Sequence, residues 1–149
     1  MKRLWDGQRL IRAIDGEQPL AEATLEDYAL VAQGLWDWSR QKPKQDYQPV
    51  VEKLVRIAWS NYFVEGRWVQ SDTPLIPMME GRLALDESSL PSATATVTRL
   101  SIRDRVLKKD SEIYQQAQQH LEQVRAYLGD SMFWYPSYVE LLETAQSLR

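Results

Sequence analysis

His120 is the only histidine in this chain, and no cysteine accompanies it. Imidazole is the side chain best suited to proton transfer near neutral pH, so any acid–base or nucleophile–base arrangement has to converge on that residue. Its helical neighbours are Gln118, Gln119 and Gln123, beside an apolar stripe, which reads as a boundary histidine with no catalytic task. No Gly-x-Ser-x-Gly elbow presents a serine nucleophile. A di-iron helical site needs Glu-x-x-His twice, and one histidine cannot supply it. Without cysteine there is no thiolate nucleophile, thiolate metal site or disulfide. No Walker-type or Gly-x-Gly-x-x-Gly loop cradles a phosphate. Asp72, Glu80, Asp86 and Glu87 fall in one irregular stretch, where acidic residues are ordinarily solvated. The residues therefore point to no catalytic, cofactor or metal site, and the reading is of a binding protein and not an enzyme.

Binding chemistry has more to work with. Basic residues gather in three places: Arg40, Lys42 and Lys44; Arg67 beside Trp68; and the run Arg99, Arg103, Arg105, Lys108 and Lys109. The first group has a structural explanation, because cations near a helix C-terminus complement the helix dipole. The third is read as lying at the start of a helix, where the dipole disfavours cations, and is the more informative for that reason. Aromatics interleave with two of the groups, as Trp36 and Trp38 before Arg40, and Tyr62 and Phe63 before Arg67 and Trp68. Cations that track a phosphate backbone, with rings available for stacking, are a physical recipe for nucleic-acid contact. The same tryptophans, Trp36, Trp38 and Trp68, are the candidates for protein-partner contact, since tryptophan is enriched at interface hot spots.

These residues have to be positioned by local structure, and helical spacing dominates. Thr24 followed by Asp27 reads as an N-cap with an acid in the first turn. Leu25, Tyr28, Ala32, Leu35, Trp36 and Ser39 then recur at helical spacing as far as the Lys42-Pro43 stop, which predicts a helix over 25–41. A second helix over 49–65 opens at Pro49. It shows Val50, Val51, Leu54, Val55, Ala58, Trp59 and Tyr62 on a broad apolar face, ends at Glu65-Gly66 and packs on the first as a hairpin. Ile102, Val106, Ile113, Ala117, Leu121, Val124 and Leu128 share a face and predict a long last-third helix, with Asp110-Ser111 as a break that would divide it. Pro136 opens a final helix through Tyr138, Leu141, Leu142, Ala145 and Leu148. Residues 8–14 are read as a short helix, with Asp6-Gly7 as the alternative, a hairpin turn. Residues 16–23 are read as a connector. Residues 66–98 hold no sustained period beyond a short helix at Met78–Leu85 and a strand-like composition at Thr94–Thr98. The expected fold class is all-α: one domain over 1–149, a helical bundle of four to six helices with a long irregular mid-chain loop.

Composition agrees with a globular binding domain. The chain has 149 residues, 44% hydrophobic and 26% charged, with six tryptophans, seven tyrosines and only two phenylalanines. Its net charge is −3, which is not that of a nucleic-acid sponge. The opening Met-Lys-Arg-Leu-Trp-Asp-Gly lacks the apolar run of a signal peptide. No stretch approaches the roughly 18 apolar residues of a membrane span. A cytoplasmic protein without membrane contact is expected.

In size and layout, carried by the basic run Arg99–Lys109 and the paired helices at 25–41 and 49–65, the chain resembles the small helical subunits of CRISPR Cascade-type (class 1) effector complexes. The resemblance implies a non-catalytic subunit without cofactors, partnered by the other protein subunits of a multi-subunit complex. It also implies contact with nucleic acid, stabilising a bound target or displaced DNA strand. The acidic balance departs from that family, and an assembly partner would have to supply the rest of the groove. The alternative from the residues alone is a protein–protein adaptor, or a phage or plasmid accessory protein, docking through an aromatic surface.

Overall fold

The computed structural model describes residues 4–42, 46–69, 89–103, 107 and 111–148. Five α-helices are described: α1 (Leu25–Gln41), α2 (Gln48–Tyr62), α3 (Ala93–Ile102), α4 (Glu112–Leu128) and α5 (Pro136–Ser147). Two small antiparallel hairpins accompany them, β1 (Ile11–Asp15) with β2 (Gln18–Glu22) and β3 (Phe63–Val64) with β4 (Arg67–Trp68). The fold is mostly helical but not purely all-α. The helix expected at Met78–Leu85 and the acids Asp72, Glu80, Asp86 and Glu87 lie outside the described residues.

The helix expected over 8–14 is instead the first strand of a hairpin. A helix that short is marginal, since nucleation fixes several residues for one hydrogen bond. Strand β1 gains β2 as a partner, pairing Ile11 with Glu22 and Asp15 with Gln18 across a turn at Gly16 with φ +58°. The stretch read as a connector therefore supplies the second strand. The Asp6-Gly7 turn also forms, below an isolated Trp5–Leu10 bridge. Asp6 Oδ1 accepts the backbone N–H groups of Arg9 and Gln8, each at 2.7 Å, and these two bonds hold its pKa below the ordinary carboxylate value. The hairpin is tied to the bundle where the Leu10 N–H donates to the Tyr28 hydroxyl at 3.0 Å.

Helix α1 begins as expected. The Thr24 N–H donates to Asp27 Oδ2 at 2.7 Å, and the same carboxylate meets Arg12 Nε of β1 at 2.8 Å. Asp27 thus caps α1 and fastens the hairpin to it. Asp27→Ala is expected to cost about 1 kcal/mol, the usual value of a lost helix cap, read as a shifted urea midpoint with an unchanged slope. Helix α2 ends at Tyr62, earlier than the sequence suggested. Glu65 and Gly66 adopt φ +51° and +77°, the backbone of a tight hairpin turn, and this turns the chain back as β4. The fold over buries Trp68 against Trp59 at 4.5 Å between ring centroids.

Helix α3 is the centre of the molecule. It includes the stretch Thr94–Thr98 that reads as a strand by composition, and every one of its residues is buried. A lone strand would leave its backbone unpaired in the core, whereas a helix satisfies its own. Alanine, threonine and serine keep the helix narrow, so that α1, α2, α4 and α5 can all pack on it. Its hydroxyls find local partners. Ser101 donates to the Val97 carbonyl at 2.7 Å and accepts Trp59 Nε1–H at 2.8 Å, and Thr94 bonds the Tyr138 hydroxyl. Helix α3 stops at Ile102, and Ser111 caps α4 by accepting the Tyr114 N–H at 3.2 Å. The long last-third helix is therefore corrected: only its second part forms, as α4 opening at the Ser111 cap, while Arg103 and Leu107 of its expected first part are not helical and Val106 lies outside the described residues. One contiguous core joins all five helices, Trp68 of the second hairpin, and Leu10 and Ala23 at the foot of the first.

Candidate functional site

The residues singled out in the sequence do not form one surface. Arg40 and Lys42 are exposed at the C-terminal end of α1, and Arg67 is exposed on β4. Lys44, Arg105, Lys108 and Lys109 lie outside the described residues. Trp68 is a core residue. Trp36 is half-buried and Trp38 is 50% exposed. Arg99 lies in the last turn of α3 and not at a helix start, so the dipole there favours its charge. It is buried, donates through Nη2 to Gln33 Oε1 at 3.1 Å and pairs with Glu140 of α5.

Helical spacing brings one group together. Gln33, Trp36, Asp37 and Arg40 share a face of α1, and Arg99 and Arg103 lie one turn apart at the end of α3. The Arg103 guanidinium rests over the Trp36 ring, 5.9 Å from its centroid. Such stacking satisfies the face of the guanidinium but not its edge donors. Burial lowers the Arg103 pKa, and the positive charge of Arg99 lowers it further, ahead of the opposing pull of Asp37.

His120 lies in the core and not at its boundary. Its ring stands 6.4 Å from Phe63 and 6.2 Å from Trp68, the residues of the second hairpin, which rests on α4 there. Burial pushes its pKa down to about 4, against a hydrogen bond to Gln123 that works the other way. At neutral pH it is an uncharged packing residue. Among the described residues no group of histidine, aspartate and glutamate could hold a metal ion, and no helix is long and apolar enough to cross a membrane.

A second surface was not singled out in the sequence. Between α4 and α5 the chain runs through a short 3-10 segment, Gly129–Trp134, entered by Gly129 at φ +43°. It turns Phe133 and Trp134 outward, 84% and 72% exposed, with ring centroids 5.2 Å apart and planes nearly perpendicular. Tyr127, in the last turn of α4, and Met132 are exposed beside them in the chain. Tyr135 turns inward, stacking edge-on against the buried Tyr138. The signal in the sequence was the run Met132-Phe133-Trp134-Tyr135 after Gly129. Helical periodicity does not assign a face to residues between helices.

The sequence on either side of this corner is mostly acidic, though Glu140 is paired with Arg99. Glu122, Asp130, Glu140 and Glu143 stand in the surrounding sequence with Arg125 as the one nearby cation, and Arg125 is held by Glu122 at 2.8 Å. No family model, curated protein or solved structure matches this chain.

Proposed function

We propose that this chain is a non-enzymatic binding subunit that docks a protein partner through the aromatic corner formed by Tyr127, Met132, Phe133 and Trp134. The observation that carries the reading is the exposure of two large rings, Phe133 and Trp134, side by side on a short 3-10 turn. Leaving such rings in water forgoes roughly 2–3 kcal/mol each, and adjacent exposed aromatics mark interaction sites. The acidic setting selects the occupant. A lipid-inserting corner is normally flanked by lysine and arginine that meet anionic headgroups, whereas the acids here favour a protein cleft that is apolar at its centre and basic at its rim.

The test is capture from the cell of origin with three baits: the wild type, Phe133→Ala/Trp134→Ala and Trp38→Ala. A protein retained by the wild type and by Trp38→Ala, but reduced roughly tenfold or more by the double variant, supports the corner. Equal retention by all three baits removes it. A wild-type dimer that the double variant dissolves would make the occupant a second copy of this chain and overturn the reading.

A second reading, a nucleic-acid-handling subunit like those of Cascade-type complexes, keeps one specific support. Trp38, Arg40 and Lys42 are all exposed at the same end of α1. In the same experiment it requires captured proteins to come with nucleic acid and to be lost on nuclease treatment. Retention after nuclease favours the corner.

A further inference from the structure

The end of α3 holds donors that the protein itself does not use. Arg99 Nε, Arg103 Nε and Trp36 Nε1 are each buried without a hydrogen-bond partner. Such orphans are rare, because a buried donor left unpaired costs about 1–3 kcal/mol. Here three belong to one neighbourhood, with Arg103 stacked on Trp36 and Arg99 one turn before it. The carboxylates already present do not relieve them. Asp37 accepts from Gln33 Nε2 at 2.7 Å, and Glu140 sits on the outer side of Arg99 with its own side chain 59% exposed. Arg40, in the last turn of α1, adds a third cation to the field at Arg103.

We infer that Arg99, Arg103 and Trp36 form a binding site for a phosphate group, at the junction of α1 and α3. A phosphate offers several acceptor oxygens in divergent directions, so one group can receive guanidinium N–H donors from two arginines and an indole N–H together. A carboxylate can also serve several donors, but its two oxygens lie in one plane, so donors arriving from divergent directions suit it less well. The stacked indole holds the Arg103 guanidinium in place before the ligand arrives, which reduces the ordering cost of binding. This site uses none of the residues of the α4–α5 corner and does not depend on that corner's role.

The probe is inorganic phosphate, titrated against the full chain at constant ionic strength made up with chloride, with the unfolding temperature as readout. The expected result is a saturable rise of roughly several degrees at ligand concentrations well above Kd. Arg103→Gln abolishes the rise, and Trp36→Phe, which keeps the ring but removes the indole N–H, diminishes it. Without phosphate, Arg103→Gln unfolds at the same temperature as the wild type or higher, because it removes a half-buried charge. Three results would overturn the site: no saturable rise in the wild type, a rise that Arg103→Gln retains, or a marked fall in the unfolding temperature of Arg103→Gln in phosphate-free buffer.

Discussion

Acidification from pH 7 to pH 4 is expected to remove about 3 kcal/mol of stability through His120 alone. Burial sets the sign. In the folded chain the imidazole pKa is pushed down to about 4, whereas the unfolded chain titrates near 6.5. Between those values the unfolded chain binds the proton and the folded one does not, so stability falls as pH falls through that window. It is fully present above 6.5 and levels off below about 4. The loss is large because the imidazole is enclosed by Phe63, Trp68 and the core face of α4, where an imidazolium would give up its water for ring edges. Urea unfolding followed by tryptophan fluorescence at a series of pH values measures it. His120→Leu, which fills the site without a titrating group, should give a flat profile between pH 6.5 and 4.5. Asp6 does not confuse the comparison. Its carboxyl is held below the ordinary value of 3.8 by backbone N–H groups, so what it contributes is lost at lower pH. A wild-type profile as flat as that of His120→Leu would falsify the buried placement of the ring.

Tyr138→Ala is expected to be the most damaging single truncation, at about 3–5 kcal/mol. Tyr138 is fully buried and among the largest such side chains. It packs α5 on α3, and its hydroxyl lies with Thr94 and the Ser92 hydroxyl at the α3 N-terminus. Alanine removes the ring, opens a cavity in a helix interface and withdraws a partner from two buried hydroxyls, and each effect adds to the loss. A domain whose whole stability is about 5–15 kcal/mol has little left after that. Tyr138→Phe separates the contributions. It keeps the ring and should cost about 1–2 kcal/mol for the lost hydroxyl. Both variants are read by denaturant midpoint. If Tyr138→Ala costs no more than Tyr138→Phe, the ring is not packed as described. Phe133→Ala/Trp134→Ala is the natural contrast, since those rings are exposed and their loss should leave the midpoint nearly unchanged while removing the proposed docking surface.

The sequence determined by itself whatever depends on spacing along one helix. The capped start of α1 at Thr24, the proline at the start of α2 and of α5, and the apolar faces of α4 and α5 are written in local order, because a helix closes its own hydrogen bonds within four residues. The single histidine and the lack of cysteine are likewise read directly from the sequence. What depends on distant partners was decided only by the tertiary structure. Ile11 and Ile14 pair in a strand because residues 18–22 are there to receive them. Thr94–Thr98 became a helix because four other helices surround it and leave no strand for it to join. Arg99 reads in sequence as the head of a basic run, and the fold places it inside, against Gln33 and Glu140. Phe133 and Trp134 stand in an aromatic run to which helical periodicity gives no face, and a six-residue 3-10 segment leaves them exposed to solvent. Whether an aromatic ring packs or docks, and whether an arginine is a surface charge or a buried donor, is fixed by which other elements arrive at that position. That information is spread over the whole chain, and no local window of it carries the answer.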